Sequence, residues 1–264
     1  MTLVSEQPVR AIEVGRTYHL LTTPIMPVFV DPSPRALRET HLHYGEPFIP
    51  RRLHGEWVYG DAFVSGVSGY IRERSLSERS FSPSHRVIAA VAHVYPEPNA
   101  PSPVMGLPIH ARLEILGRRG EYLMTKGGWL RNEDARLLED PVDDWVAICE
   151  LFLGVKYVWG GRSRDGLDCS GLIGNGLLAV GIPSPHRSNL MQERIGRAID
   201  PEQDGYRRGD LVFWDGHVGV MLDDERLLHA TGKPFHRTVV ELLDEVIARR
   251  RADGKGEVTA AKRL

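Results

Sequence analysis

The apolar positions of this chain follow two different rhythms. Up to about residue 139 they come in short runs between turn residues. Pro24, Pro27, Pro32 and Pro34 punctuate the start, around a β-type run at 27–30. Glu56-Trp57-Val58-Tyr59-Gly60 and Gly69-Tyr70-Ile71-Arg72 alternate as half-buried strands do. After a polar stretch over 75–83 a similar series returns. His93-Val94-Tyr95 precedes four prolines, and apolar runs follow at 109–116, 121–124 and Gly128-Trp129-Leu130-Arg131. The segments led by Gly69 and Gly128 share one pattern and start 59 residues apart. Four or five short strands in each unit of about 55–60 residues predict two small all-β barrels.

Beyond residue 140 the spacing turns helical. Residues 143–153 carry apolar side chains on one face behind acidic residues, and Gly154 is placed as a terminating glycine. A second helix is predicted from Cys169 to Val180, stopped by Gly181 and Pro183. Three β-runs follow at 211–214, 218–222 and 227–230. Residues 239–250 read as an amphipathic helix, and 251–264 as a polar, frayed end. The expected divisions are a leading segment at 1–23, β units at 24–78 and 84–139, a mixed α+β unit at 140–254, and a tail at 255–264.

Composition narrows the function. The chain has 264 residues, 33 Lys and Arg against 35 Asp and Glu, and a net charge of −2. That balance lacks the basic footprint of a nucleic-acid binder or of a membrane-surface protein. No apolar run approaches the ~18 residues of a membrane span. The start of the chain has neither a basic leader nor a continuous apolar stretch, which predicts a cytoplasmic protein. Two cysteines, Cys149 and Cys169, are too few for a disulfide scaffold or a zinc site built on Cys pairs.

Cys149 sits inside a helical apolar pattern and reads as core. Cys169 stands at a predicted helix start, with Asp168 as N-cap and Ser170 and Gly171 behind it. The helix dipole favours thiolate there, and Gly171 would let a substrate approach the backbone. The bland alternative is a small buried residue. A thiol nucleophile needs a base that later protonates the leaving amine, and histidine does both near neutrality. Of the 11 histidines, His217 opens a predicted strand after Asp215-Gly216, and His229 lies on the next strand. The two-residue strand period puts both rings on one face if the connecting loop has an odd count. His229 would then orient His217 as the third member of a triad. Two unrelated half-buried histidines, or a three-ligand zinc site with Cys169, are the competing readings. No cofactor-binding motif is evident.

Four segments together resemble the NlpC family of papain-like cysteine peptidases. They are Tyr157-Val158-Trp159-Gly160-Gly161, Asp168-Cys169-Ser170-Gly171-Leu172, Arg208-Gly209-Asp210-Leu211-Val212-Phe213-Trp214 and Gly216-His217-Val218-Gly219-Val220, with Leu228-His229-Ala230 following. The resemblance covers about residues 140–250. The upstream half looks like the paired bacterial SH3-like domains of members that trim cell-wall peptides, with Ser84-His85-Arg86-Val87 and Val94-Tyr95-Pro96-Glu97-Pro98 fitting that subgroup. It implies an α+β papain-like domain behind two SH3-like barrels, a Cys169 nucleophile, His217 as base and acid, and His229 as its orienter. The Cys169 N–H would help hold the oxyanion. Tyr157, Asp168, Ser170, Arg187 and Ser188 would line the substrate pocket. The implied partners are small murein-derived peptides, cut at the γ-D-Glu–diamino acid bond.

One position departs from the pattern. The relatives often carry Asp after the Arg that Arg187 matches, and here Ser188 stands there. Loss of a carboxylate from an amine pocket removes roughly 1.5–3 kcal/mol. Asp168 or Glu97 is the expected substitute. Tyr59 or Tyr95 is the expected source of any tyrosine that the barrels lend to the pocket. A peptidoglycan-binding module with an idle catalytic domain, and an acyl transferase using the same thioester, are the alternative functions.

Overall fold

The computed structural model describes residues 18–77 and 81–264. Most of the expected leading segment, and the centre of the polar stretch at 75–83, lie outside them. Two all-β modules precede a mixed α+β unit. In the first, an antiparallel sheet of six strands includes Ile25–Phe29, Arg38–His43, Pro47–His54, Trp57–Ala62 and Val67–Arg72. Its core gathers Val28, Phe48, Val58 and Ile71, all fully buried. The second module builds its core from Val87, Val94, Leu107, Leu113 and Leu130 on shorter strands.

The internal repeat has a packing cause. Val67–Arg72 and Gly128–Arg131 are both strands, each followed by a single 3-10 turn. A Cβ on Gly69 would lie 2.6 Å from the Phe29 carbonyl oxygen, and one on Gly128 2.3 Å from that of Tyr95. Each glycine lets two backbones touch, and the aliphatic residue two places on, Ile71 or Leu130, drops into the module's core. The apolar run at 109–116 is not one strand. It breaks at His110, whose φ is +62°, between Met105–Pro108 and Arg112–Leu113.

In the third unit the sheet runs, edge to edge, Arg197–Ala198, Ala260–Arg263, Leu211–Trp214, His217–Met221, Arg226–Thr231 and Arg237–Leu242. The helix Cys169–Ala179 packs on it through Leu172, Ile173 and Leu177, which share a core with Phe213, Val218 and Leu228.

Three expectations need correction. The first helix, Trp145–Glu150, ends four residues before Gly154. Asp144 caps its start by accepting from the Val146 and Ala147 amides. The stretch at 239–250 is not one helix: β-branched Thr238, Val239 and Val240 continue a strand to Leu242, and the helix begins at Leu243. The tail is not frayed. Ala260–Arg263 pairs with the 211–214 strand, and Arg263 grips the buried Asp210 carboxylate through Nε and Nη2, both at 2.7 Å.

The β modules clamp the Cys169 helix at both ends. Arg86 of the second module donates to the carbonyls of Leu178 and Ala179 at 2.6 and 2.7 Å, satisfying the open C-terminus. Near the N-terminus, Glu46 of the first module forms a buried ion pair with Arg162.

Candidate active site

Cys169 is the first residue of its helix. Asp168 caps it with Oδ1, which accepts from the Gly171 amide at 2.7 Å and the Ser170 hydroxyl at 2.9 Å. Oδ2 accepts from the Gly160 amide at 2.8 Å. Asp168 is therefore occupied in shaping the turn. Gly171 also serves that turn: a Cβ there would stand 2.1 Å from the Gly161 carbonyl oxygen, so its backbone meets protein, not a substrate.

The backbone N–H groups of Val218, Ser170 and Cys169 itself lie near enough to the Cys169 sulfur to favour its ionised form. The strand carrying His217 thus lies directly against the thiol. Burial and the Asp168 charge push Cys169 up to about 12, against the pull of those three amides. This corrects the expectation of a ready-made thiolate. A helix N-terminus lowers a thiol's pKa where water or a cation shares the load; here burial dominates and the resting group keeps its proton.

His217 and His229 lie on one face of their sheet. Met221 pairs with Leu227, so residues 222–226 form the connection, five residues and an odd count. His217 Nε2 is 2.8 Å from His229 Nδ1, and His229 Nε2 is 2.8 Å from Glu241 Oε2. Arg249 donates to both Glu241 oxygens, at 2.5 and 2.8 Å. Burial alone would raise the Glu241 carboxyl, but the His229 and Arg249 hydrogen bonds outweigh it and hold the group at about 2. An ionised Glu241 only accepts, so His229 Nε2 carries a hydrogen. Neutral His229 then accepts at Nδ1, and His217 donates from Nε2. The open lone pair of His217 is left on Nδ1. Burial, first, and the neighbouring His229 and Arg250 hold His217 well below the usual histidine range, so its ring rests neutral. Each histidine spends a nitrogen on this relay, which does not suit the zinc reading. Among the described residues no group of three or more metal-binding side chains is clustered.

One cavity opens on the thiol and a second on His217. One, of about 440 Å³, is lined by Cys169, Asp168, Ser170, Arg187, Ser188 and Glu39. The other, of about 560 Å³, is lined by Tyr157, His217, Asp215, Lys233, Arg250 and Lys255. His229 lies behind, fully buried. Glu39 and Leu37 are what the first β module lends to the site. Glu97, Tyr59 and Tyr95 line neither cavity; Tyr59 packs on Tyr70 at 5.0 Å, and Tyr95 pairs with Trp129. Cys149 is fully buried, its sulfur 3.4 Å from the Leu172 carbonyl.

A model of the NlpC/P60 family matches residues 154–251. The gamma-D-glutamyl-L-lysine dipeptidyl-peptidase of Bacillus subtilis (strain 168) is 33% identical over 220 residues, spanning 74% of this chain and 73% of that protein. The chain belongs to the NlpC/P60 family. It is accordingly a cysteine peptidase. The Bacillus cereus protein of the same name is 26% identical over 225 residues, 73% of this chain and 67% of its own length. The crystal structure of an NlpC/P60 family protein from Bacillus cereus superposes with a TM-score of 0.78 at 20% identity, over 94% of this chain and 99% of that one. The whole chain, β modules included, therefore shares one fold with it.

Within this NlpC/P60 chain, Glu241, Arg249 and Glu39 carry geometry that sequence reasoning passed over. Strand alternation would have found Glu241: it faces Leu227, two residues along from His229 and on the same side of the sheet. Reading 239–250 as a helix removed it from that sheet. Glu39 carries no local signal, since it reaches the cavity from a separate module.

Proposed function

We propose that this protein hydrolyses the γ-D-Glu–diamino acid bond of short murein-derived peptides, with Cys169 as nucleophile and His217 as base and acid. The fully hydrogen-bonded relay from His217 through His229 to Glu241, set against the Cys169 helix, carries the reading. His217 Nδ1 takes the thiol proton as sulfur attacks the γ-carbonyl carbon. The N–H groups of Cys169 and Ser170, which lie at the sulfur in the resting site, are then available to the developing oxyanion. The carbon–nitrogen bond breaks as His217 returns the proton to the leaving amine, leaving a thioester. Water, deprotonated by His217, then releases the acyl group as a carboxylic acid and restores the thiol.

On the acyl side the cavity offers carboxylate to an N-terminal ammonium. Asp168 is spent on the helix cap, so Glu39 takes the place expected of Asp168 or Glu97. Arg187 shares Glu39 at 2.5 Å and holds it over the cleft. In this reading residues 24–78 and 84–139 are SH3-like domains that narrow the cleft to small peptides.

The test is incubation of the protein and its Cys169→Ala variant with L-Ala-γ-D-Glu-diaminopimelate and with its N-acetylated form, products being identified by mass spectrometry. Cys169-dependent release of L-Ala-D-Glu is expected, faster from the free amine. Absence of any Cys169-dependent product would overturn the proposal.

A further inference from the structure

The second cavity has the opposite electrostatic character to the first. Lys233, Arg250 and Lys255 line it against a single carboxylate, Asp215. Arg250 is the group best placed among them. Its guanidinium is half-buried and stacks over the Trp214 ring, 5.2 Å from the centroid. Its one hydrogen bond is long, 3.4 Å from Nη2 to the Asp215 carbonyl, and its buried Nε has no partner among the described residues. Cys169 first, and then Asp215 and Asp253, act on it only through space. Other guanidiniums near the site are paired with carboxylates: Arg249 with Glu241, Arg187 with Glu39, Arg162 with Glu46. A half-desolvated guanidinium that lacks a carboxylate in a protein this rich in Arg–carboxylate pairs is set to receive one from a ligand.

The cavity's place in the reaction identifies that ligand. His217 lines this cavity, and His217 must protonate the leaving nitrogen. The amine half of the scissile bond therefore departs into the basic side, while the acyl half occupies the side of Glu39.

We propose that Arg250, flanked by Lys233 and Lys255, is the carboxylate-binding subsite for the leaving residue, making the enzyme selective for leaving groups with a free carboxylate and favouring a diaminodicarboxylic acid over lysine. This rests on the peptidase reading given above. A leaving lysine brings one carboxylate and a side chain of net positive charge. Diaminopimelate carries the same distal ammonium with a second carboxylate beside it, so its side chain is neutral overall and offers the basic cavity one more anion. An internal residue, its α-carboxyl tied up in a further peptide bond, brings only what its side chain carries.

Four substrates separate these sources: L-Ala-γ-D-Glu followed by lysine or by diaminopimelate, each with its α-carboxyl free or as the carboxamide. Wild type is expected to prefer the free diaminopimelate peptide, with the lysine carboxamide slowest. Arg250→Gln should lower kcat/KM for the free acids by about 10- to 100-fold more than for the lysine carboxamide, the worth of one charge-assisted pair, any change common to all four substrates reporting the loss of the Arg250 charge beside His217. Arg250→Lys should recover part of the loss. The exposed Lys255→Gln, which carries little folding risk, should give a smaller loss with the same substrate order. Equal losses on all four substrates, or a wild type indifferent to amidation, would overturn the subsite. Binding of free diaminopimelate to Cys169→Ala, measured by calorimetry, is a readout independent of cleavage. Weakening of that binding by added Arg250→Gln supports the subsite even if no peptide is cut, whereas binding unaffected by Arg250→Gln overturns it.

Discussion

Two groups of buried histidines make an instructive pair. His217 and His229 stand at the cleft; His41, His43 and His110 lie where the β modules meet the third unit. Burial lowers all five. What lies beyond each ring differs. Behind His229 is a carboxylate, Glu241, at 2.8 Å. Beside the other three is a cation, Arg162, and their ring nitrogens contact backbone carbonyls or arginine: His43 Nδ1 lies 2.7 Å from the Ile109 carbonyl and His110 Nε2 2.8 Å from that of Asn175. Desolvation makes a ring neutral. Only a carboxylate relay makes that neutral ring a base, because it fixes which nitrogen holds the lone pair and steadies the imidazolium that forms. Cations lie near both groups, but the second has no carboxylate relay: the named ring nitrogens of its histidines meet backbone carbonyls or arginine, as a structural group's would.

The largest effect that can break this contrast is His217→Ala. It should cut kcat/KM by about 10³- to 10⁴-fold while denaturant unfolding stays close to wild type. His43→Ala should do the opposite, lowering stability with a much smaller change in rate. A stable, active His43→Ala beside an unfolded His217→Ala would reverse the assignment.

Next in size is Glu46→Ala. It strands the Arg162 guanidinium, whose side chain is 5% exposed, without its carboxylate. A loss of about 3–5 kcal/mol in urea titration is expected, the cost of an uncompensated buried charge. A change below about 1 kcal/mol would mean the interface is wet and its histidines are not held by burial.

Glu241→Gln sharpens the other half. It keeps the shape and removes the charge that fixes the relay. A fall of about 10- to 100-fold in kcat with little change in KM is expected, with partial recovery in Glu241→Asp. A fall confined to KM would place Glu241 outside the proton path.

The mildest perturbation is pH, and the buried histidines and the Glu241 carboxylate predict different windows. His41 and His110 are held at about 3 and His43 well below its ordinary value. The unfolded chain therefore takes up more protons than the folded one from about pH 6.5 downward, and stability should decline progressively below that value. Glu241, at about 2, adds stability that is fully present above about pH 4.5 and is lost as pH falls toward 2. Thermal unfolding should show the first decline in wild type and in Glu241→Gln alike, and a shallower second decline in Glu241→Gln, where Asp61 and Asp144 still contribute. A melting temperature unchanged between pH 7 and 5 would contradict the histidine term.

Much of the candidate site was legible because its residues sit in local patterns. Asp168-Cys169 announces a helix start by capping chemistry alone, and a two-residue period relates His217 to His229 across a short turn. The dipole argument for Cys169 failed because sequence does not reveal burial depth. Glu241 was missed at a strand-to-helix switch, Leu242 to Leu243, where four apolar residues fit either period. Arg263 and the last strand were missed because a short polar segment gains its order only from the sheet edge it joins. Glu39 was out of reach for a different reason: nothing local to it refers to a cleft in another unit.

The most direct test of the relay is ¹⁵N–¹H correlation spectroscopy of the imidazole rings at neutral pH. The account predicts both rings neutral between pH 6 and 8, His217 and His229 each protonated at Nε2, and loss of that single pattern in Glu241→Gln. A His217 ring protonated at Nδ1, or charged at pH 7, would contradict it.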